Sequence, residues 1–171
     1  MGRPRLLLIA AAAAVLALPS SASAADIVVK VANKRVTALG GLNTSSGHGS
    51  LRAATRAWGL PSSRSTGSGA CHVNWATVGV KAVFSGRRCS ESRSRIQRAT
   101  LHSKHWTTQR GLHVGDPTAK VKQLYPGATF TVGYFWLYKR HDAFVGADAP
   151  FVTAQMKGGA VHLIQVFVSS G

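Results

Sequence analysis

Carboxylates are what this chain has least of. Five Asp and Glu stand against 21 Lys and Arg in 171 residues, a formal charge of +16. A carboxylate pair for acid–base chemistry has to be drawn from Asp26, Glu91, Asp116, Asp142 and Asp148, and nothing in their placement marks a glycosidase-like pair. Other catalytic signatures are missing too: there is no G-x-S-x-G elbow, no H-E-x-x-H and no C-x-x-C. Gly47-His48-Gly49-Ser50 has no phosphate-loop lysine after it and reads as a loop leading into a helix cap. His102 and His105 are three apart with no acidic third ligand beside them, and the seven histidines read as scattered surface groups. The expectation is a protein that is not an enzyme, with no catalytic residue, no metal and no cofactor.

Long apolar runs are also scarce. The only one, Leu6 to Leu18, follows Arg3 and Arg5 and precedes Pro19 and the small residues Ala22-Ser23-Ala24. That is the layout of a secretory signal peptide, and the run is short of the roughly 20 residues a membrane helix needs. Residues 1–24 are expected to be removed, with cleavage after Ala24 or Ala25, leaving a secreted, extracellular chain with no transmembrane segment. Removal takes two arginines and no acid, so the mature chain stays strongly basic. No Cys near the cleavage site offers a lipid anchor.

Cysteine is limited to Cys71 and Cys89, which allows one pairing. In an oxidising compartment the pair is expected to be a disulfide, contributing about 3 kcal/mol through loop closure.

What is present is alternation. Residues 26–32 predict a first strand, and 62–70, rich in Ser and Gly, predict an exposed loop. Cys71, Val73 and Trp75, then Val78, Val80, Ala82 and Phe84, predict a hairpin turning near Gly79, with a weaker strand over 94–101. Phe130, Val132, Tyr134, Trp136 and Tyr138 alternate, as do Val152, Ala154 and Met156, and Ile164, Val166 and Val168. Gly158-Gly159 between the last two runs predicts a two-residue hairpin turn. Trp58, Trp75 and Trp136 are read as core, with Tyr134, Trp136 and Tyr138 as a row that either stacks on a ligand or packs under a helix.

Two short helices are expected. Ser50 caps the first, with Leu51, Ala54, Ala57 and Trp58 on one face and Gly59 and Pro61 as the stop. Asp116 caps the second, with Pro117 at its first position, Val121, Leu124 and Tyr125 on one face, and Pro126 and Gly127 as the stop. Gly41-Leu42 before the first helix echoes Gly111-Leu112 before the second, and three candidate strands follow each. The fold class is therefore α+β: two helix-plus-antiparallel-sheet units, about 38–104 and about 108–169, packed as one compact domain over 25–171 with one disulfide.

Thr108-Gln109-Arg110-Gly111-Leu112-His113-Val114-Gly115-Asp116, followed by Leu124-Tyr125-Pro126, resembles a signature of secreted proteins of high-GC Gram-positive bacteria that bring no known activity with them. Cys71-His72-Val73-Asn74-Trp75, the downstream Cys89 and the ending Ala154 to Val168 belong to the same pattern, which spans roughly residues 40–168. More distantly, the order of turn, short helix and meander is similar to the β-lactamase-inhibitor-protein and outer-membrane assembly lipoprotein fold. The resemblance implies that fold and carries over no site residue, because the shared motif is scaffold; the missing lipobox Cys speaks against an outer-membrane assembly role.

Charge supplies the functional expectation. Residues 86–110 hold Arg87, Arg88, Arg93, Arg95, Arg98, Lys104 and Arg110 against the single acid Glu91. A field of that sign suits an acidic polymer of the cell envelope or an acidic protein surface, and arginine forks suit phosphate. Trp106, lying in this segment with no structural role of its own in the sequence, is the candidate for ligand stacking. No specific nucleic-acid motif accompanies the charge. The reading is a secreted, monomeric, non-enzymatic binding protein for an acidic partner. The alternatives are a secreted hydrolase with an unrecognised site, and a cationic protein acting on membranes or nucleic acid. N-terminal sequencing of the protein recovered from culture medium is expected to begin at Ala25 or Asp26; an intact Met1 end would refute the processing.

Overall fold

The computed structural model describes residues 27–46, 48–143 and 146–168, so the expected signal segment lies outside the described residues. Among the described residues, twelve strands and two helices run in the order β1 (Ile27–Ala32), β2 (Arg35–Leu39), β3 (Leu42–Asn43), α1 (Leu51–Trp58), β4 (Ser63–Gly67), β5 (Ala70–Trp75), β6 (Val80–Ser85), β7 (Ile96–Leu101), β8 (Trp106–Thr108), α2 (Thr118–Leu124), β9 (Thr129–Thr131), β10 (Tyr134–Asp142), β11 (Ala147–Lys157) and β12 (Ala160–Phe167). They form an eight-stranded antiparallel sheet in the order β4-β5-β6-β7-β12-β11-β10-β9 and a smaller one in the order β3-β2-β1-β8. In the smaller sheet β1 runs antiparallel to β2 and parallel to β8. The α+β class holds.

Local chemistry explains most of these elements. Ser50 caps α1 as expected, its hydroxyl accepting from the Ala53 N–H at 3.1 Å. Gly158 and Gly159 take positive φ of 60° and 80° in the β11–β12 turn. Cys71 and Cys89 are bridged, with Cα atoms 5.1 Å apart.

Three expectations about the elements themselves need correction. Residues 63–67 are not loop but β4, the edge of the large sheet. Every residue of it is exposed, so it carries no apolar alternation to read. The second helix begins one residue later than expected, with Pro117 at the cap. Asp116 instead accepts from the His113 N–H at 2.6 Å and pairs with Lys120 at 2.9 Å. Val132 is not in a strand: it sits with Gly133 in the β9–β10 turn, at φ 41° and 91% exposed, a costly conformation for a β-branched residue.

One core cluster joins all of this. Val73, Trp75, Val80, Ala82, Phe84, Ala99, Leu101, Val152, Ala154, Ile164 and Val166 project from one face of the large sheet onto α1, α2 and the small sheet. At its centre three indoles meet. Trp58 lies edge-on to Trp75 at 5.1 Å and to Trp106 at 6.2 Å between ring centroids. Each indole N–H has a backbone acceptor: Leu39 and Gly40 for Trp58, Gly59 for Trp75, Val78 for Trp106.

Trp106 is thus fully buried, which corrects the ligand-stacking expectation: its ring is spent holding β8 and the turn before β6 against α1. Trp106→Ala is expected to lower stability by about 3–5 kcal/mol in urea unfolding, the range for a large aromatic removed from a core; a loss under 1 kcal/mol would put the ring outside the core.

Candidate functional site

The large sheet is packed on one side, and strand register places a continuous set of residues on the other. Starting at β10, Trp136 pairs with Thr153, Thr153 with Gln165, and Gln165 with Thr100. The row continues from Thr100 to Lys81, Asn74 and Ser63, while on the far side of Trp136 it ends at Thr129. One row therefore crosses all eight strands, a width of about 34 Å at the usual strand spacing. Alternation gives it the face opposite Val152, Ala82 and Val73.

Two shorter rows flank it. Toward the β6–β7 loop lie Phe167, Arg98, Val83, His72 and Ser65 in register. On the other side lie Leu163, Gln155, Tyr134 and Thr131. Lys81, Arg98 and His72 are exposed; Trp136, Tyr134, Phe167, Gln155 and Gln165 are half-buried. None of the residues in the three rows is acidic. Over β4–β7 the face dips into a depression of about 310 Å³, bordered by Ser63, His72, Asn74, Lys81, Arg98 and Thr100.

Trp136 is therefore not a core residue; Phe135 and Leu137 on either side of it are. The register slips across Leu137–Tyr138, so that Tyr138 pairs with Val152 and turns to the inner side, where it meets Tyr125 edge-on at 5.5 Å. The expected row of three aromatics is split: Tyr134 and Trp136 face out, Tyr138 faces α2.

Thr153 is the exception to the openness of the face. It is 4% exposed, and its Oγ1 is buried without a hydrogen-bond partner, next to Trp136 in the ladder.

The seven expected polyanion-binding residues do not form one patch. Arg87, Arg88, Arg93 and Arg95 lie on the 86–95 loop, which the cystine ties to β5 and which meets the start of α1 through Leu51 N–H to Ser94 O and Arg52 N–H to Glu91 O. Glu91 pairs with Arg64 at 2.9 Å, and the Arg95 guanidinium donates to Ser92 O. Arg98 is on the open face, two residues into β7 from that loop. Lys104 is in the turn at the other end of β7. Arg110 stacks over Tyr125 and Tyr138, 5.1 and 5.9 Å from the ring centroids, and donates to Leu124 O, closing the last turn of α2. Lys81 and His72, which the sequence reading passed over, are brought next to Arg98 by register.

Two titratable groups stand out. Burial raises the Tyr125 phenol well above its ordinary range, and its O–H donates to Thr108 Oγ1 at 2.7 Å. His102, just past β7, is held below its ordinary value by burial first, then by Lys81 and by His162, whose ring lies 6.5 Å away. Its Nε2 is buried without a partner.

Among the described residues no three His, Cys, Asp or Glu side chains gather as metal ligands, and no helix is long and apolar enough to cross a membrane. Compared with family models, curated proteins and solved structures, the chain finds no match.

The depressed His102 has a consequence for stability. The unfolded chain takes up a proton as pH falls through the ordinary value of 6.5, whereas folded His102 resists it. Stability is expected to fall as pH drops from 6.5 toward the lower folded value, and His102→Gln to flatten that part of the urea-midpoint profile. An unchanged slope in the variant would assign the loss to other groups.

Proposed function

We propose that this is a secreted, non-enzymatic binding protein that takes an acidic partner on the open face of its eight-stranded sheet. The observation that carries the reading is the composition of the three rows: Lys81, Arg98 and His72 interleave with amides, hydroxyls and aromatics, and no carboxylate offsets them. A cationic surface of this kind raises the local concentration of anions and steers them in.

The continuity of the face follows from a finer architectural reading. We infer that residues of about 38–104 and about 108–169 are two helix-plus-meander units, each an α-helix followed by four strands, joined where β7 meets β12. The element order and the β7–β12 pairing support it, as does the echo of Gly41-Leu42 in Gly111-Leu112. Joined this way, the last strands of both units lie at the centre, and the face reaches across both without an edge between them.

The test is retention of the secreted protein on immobilised heparin. Lys81→Ala/Arg98→Ala is expected to elute at clearly lower salt than wild type, and Lys122→Ala, on the exposed side of α2, at the wild-type position. Binding driven by charge weakens steeply as salt rises. Elution of the double variant with wild type would overturn the face as the site.

A further inference from the structure

We propose, resting on the reading of the open face as a site for acidic partners, that its ligand is an acidic polysaccharide laid across the strands. A sugar ring stacks on Trp136, and the chain's carboxylate or sulfate groups meet Lys81 and Arg98.

The central row has the chemistry of a glycan site. Trp136 puts a broad apolar ring in a row whose other members are hydroxyls, amides and Lys81, and Tyr134 adds a second ring two residues away on the same strand. Beyond Trp136 come Thr153, Gln165 and Thr100, one per strand, at steps of about 4.8 Å. Hydroxyl and amide side chains both donate and accept, which is what the closely spaced hydroxyls of a saccharide require. The step between strands is close to the repeat of a hexose in an extended glycan, so successive rings would meet successive strands.

The placement of charge selects among anions. Cations stand on β6 and β7, aromatics on β10, with about 14–19 Å between them across the sheet. A polymer carrying charge on every unit, such as polyphosphate, would leave most of its anions over uncharged side chains. A polysaccharide in which charged groups are spaced by sugar rings matches both halves. A protein partner would call for an apolar interface centre, whereas here the polar row separates Tyr134 from Phe167 and Val83.

The experiment is titration of the secreted protein with a hyaluronan decasaccharide, in which carboxylate-bearing rings alternate with uncharged ones, and, separately, with polyphosphate of matched charge, read by calorimetry and by tryptophan emission. Trp58, Trp75 and Trp106 are buried, so an emission change on binding reports Trp136. The decasaccharide is expected to bind more tightly than polyphosphate and to shift the emission of wild type. Trp136→Ala is expected to weaken decasaccharide binding about tenfold while leaving polyphosphate binding unchanged, and Trp136→Phe to keep most of the affinity and lose the emission change. Circular dichroism of each variant checks that the fold is intact. If the two polymers bind equally, Trp136→Ala matters to neither, and Lys81→Ala/Arg98→Ala weakens both, the glycan proposal falls while the reading of a charged face stands. If the lysine–arginine double variant binds both polymers as wild type does, both fall.

Discussion

Three indoles decide which side of the large sheet is inside. Trp58 belongs to α1, Trp75 to β5 and Trp106 to β8, so their contacts tie the first helix, the first meander and the small sheet together. The approach is close: a Cβ at Gly40 would fall 2.8 Å from the Trp106 ring and 2.0 Å from Ile27 Cγ2, and Gly40 adopts φ 48°. A side chain there would push β8 off α1, which is why that position needs glycine. Because each indole N–H finds a carbonyl in a different turn, burying the three rings leaves none of these donors unpaired.

That arrangement is what frees the opposite face. In an antiparallel sheet each strand sends alternate residues to each side, and here the apolar set of β5, β6, β7, β11 and β12 is spent on the inner side. The outward set then has no core to serve and carries polar, cationic and a few aromatic residues. The cystine extends the same logic to the loop. Cys71 is fully buried in β5, and its bond to Cys89 anchors the arginine-bearing 86–95 segment to the sheet, while backbone bonds from α1 hold its other end. Like charges crowded on one loop repel one another, and covalent anchoring lets them stay beside the sheet despite it.

How much of this could be read from residues alone depended on whether a pattern had a unique phase. In β5 and β6 apolar and polar residues alternate cleanly, so both the strands and their buried face follow from sequence, as do the Gly158-Gly159 turn and the Ser50 cap. In β10 the run Tyr134-Phe135-Trp136-Leu137-Tyr138 is apolar at both phases. Alternation identifies a strand there without saying which side faces in, and the slip at Leu137–Tyr138 then reverses the phase midway. β4 has no apolar residue to alternate, and β3 and β8 are two and three residues long, too short for any periodicity. Trp106 has no structural role legible in the sequence because its neighbours are Lys, His and Thr; what buries it is pairing with β1 and contact with α1, both distant in the chain. The basic stretch was legible as composition, but its seven members follow a loop, a strand, a turn and a helix end, so proximity in sequence did not become one patch.

The positive charge and the scaffold's stability are coupled. With 21 cationic side chains and five acidic ones, the folded chain holds like charges closer together than the unfolded chain does, and that repulsion works against folding. His102 shows the effect locally: Lys81 and His162 help keep it uncharged, after burial. A polyanion seated across Lys81 and Arg98 would offset this repulsion only in the folded state, because only folding brings β6, β7 and β10 into register. Whatever binds the folded chain alone stabilises it, by about 2.7 kcal/mol at a hundredfold excess over the dissociation constant. The surplus of cations is thus a cost to the free protein that an acidic ligand would remove, and the indole cluster and the cystine are what let the free protein carry it.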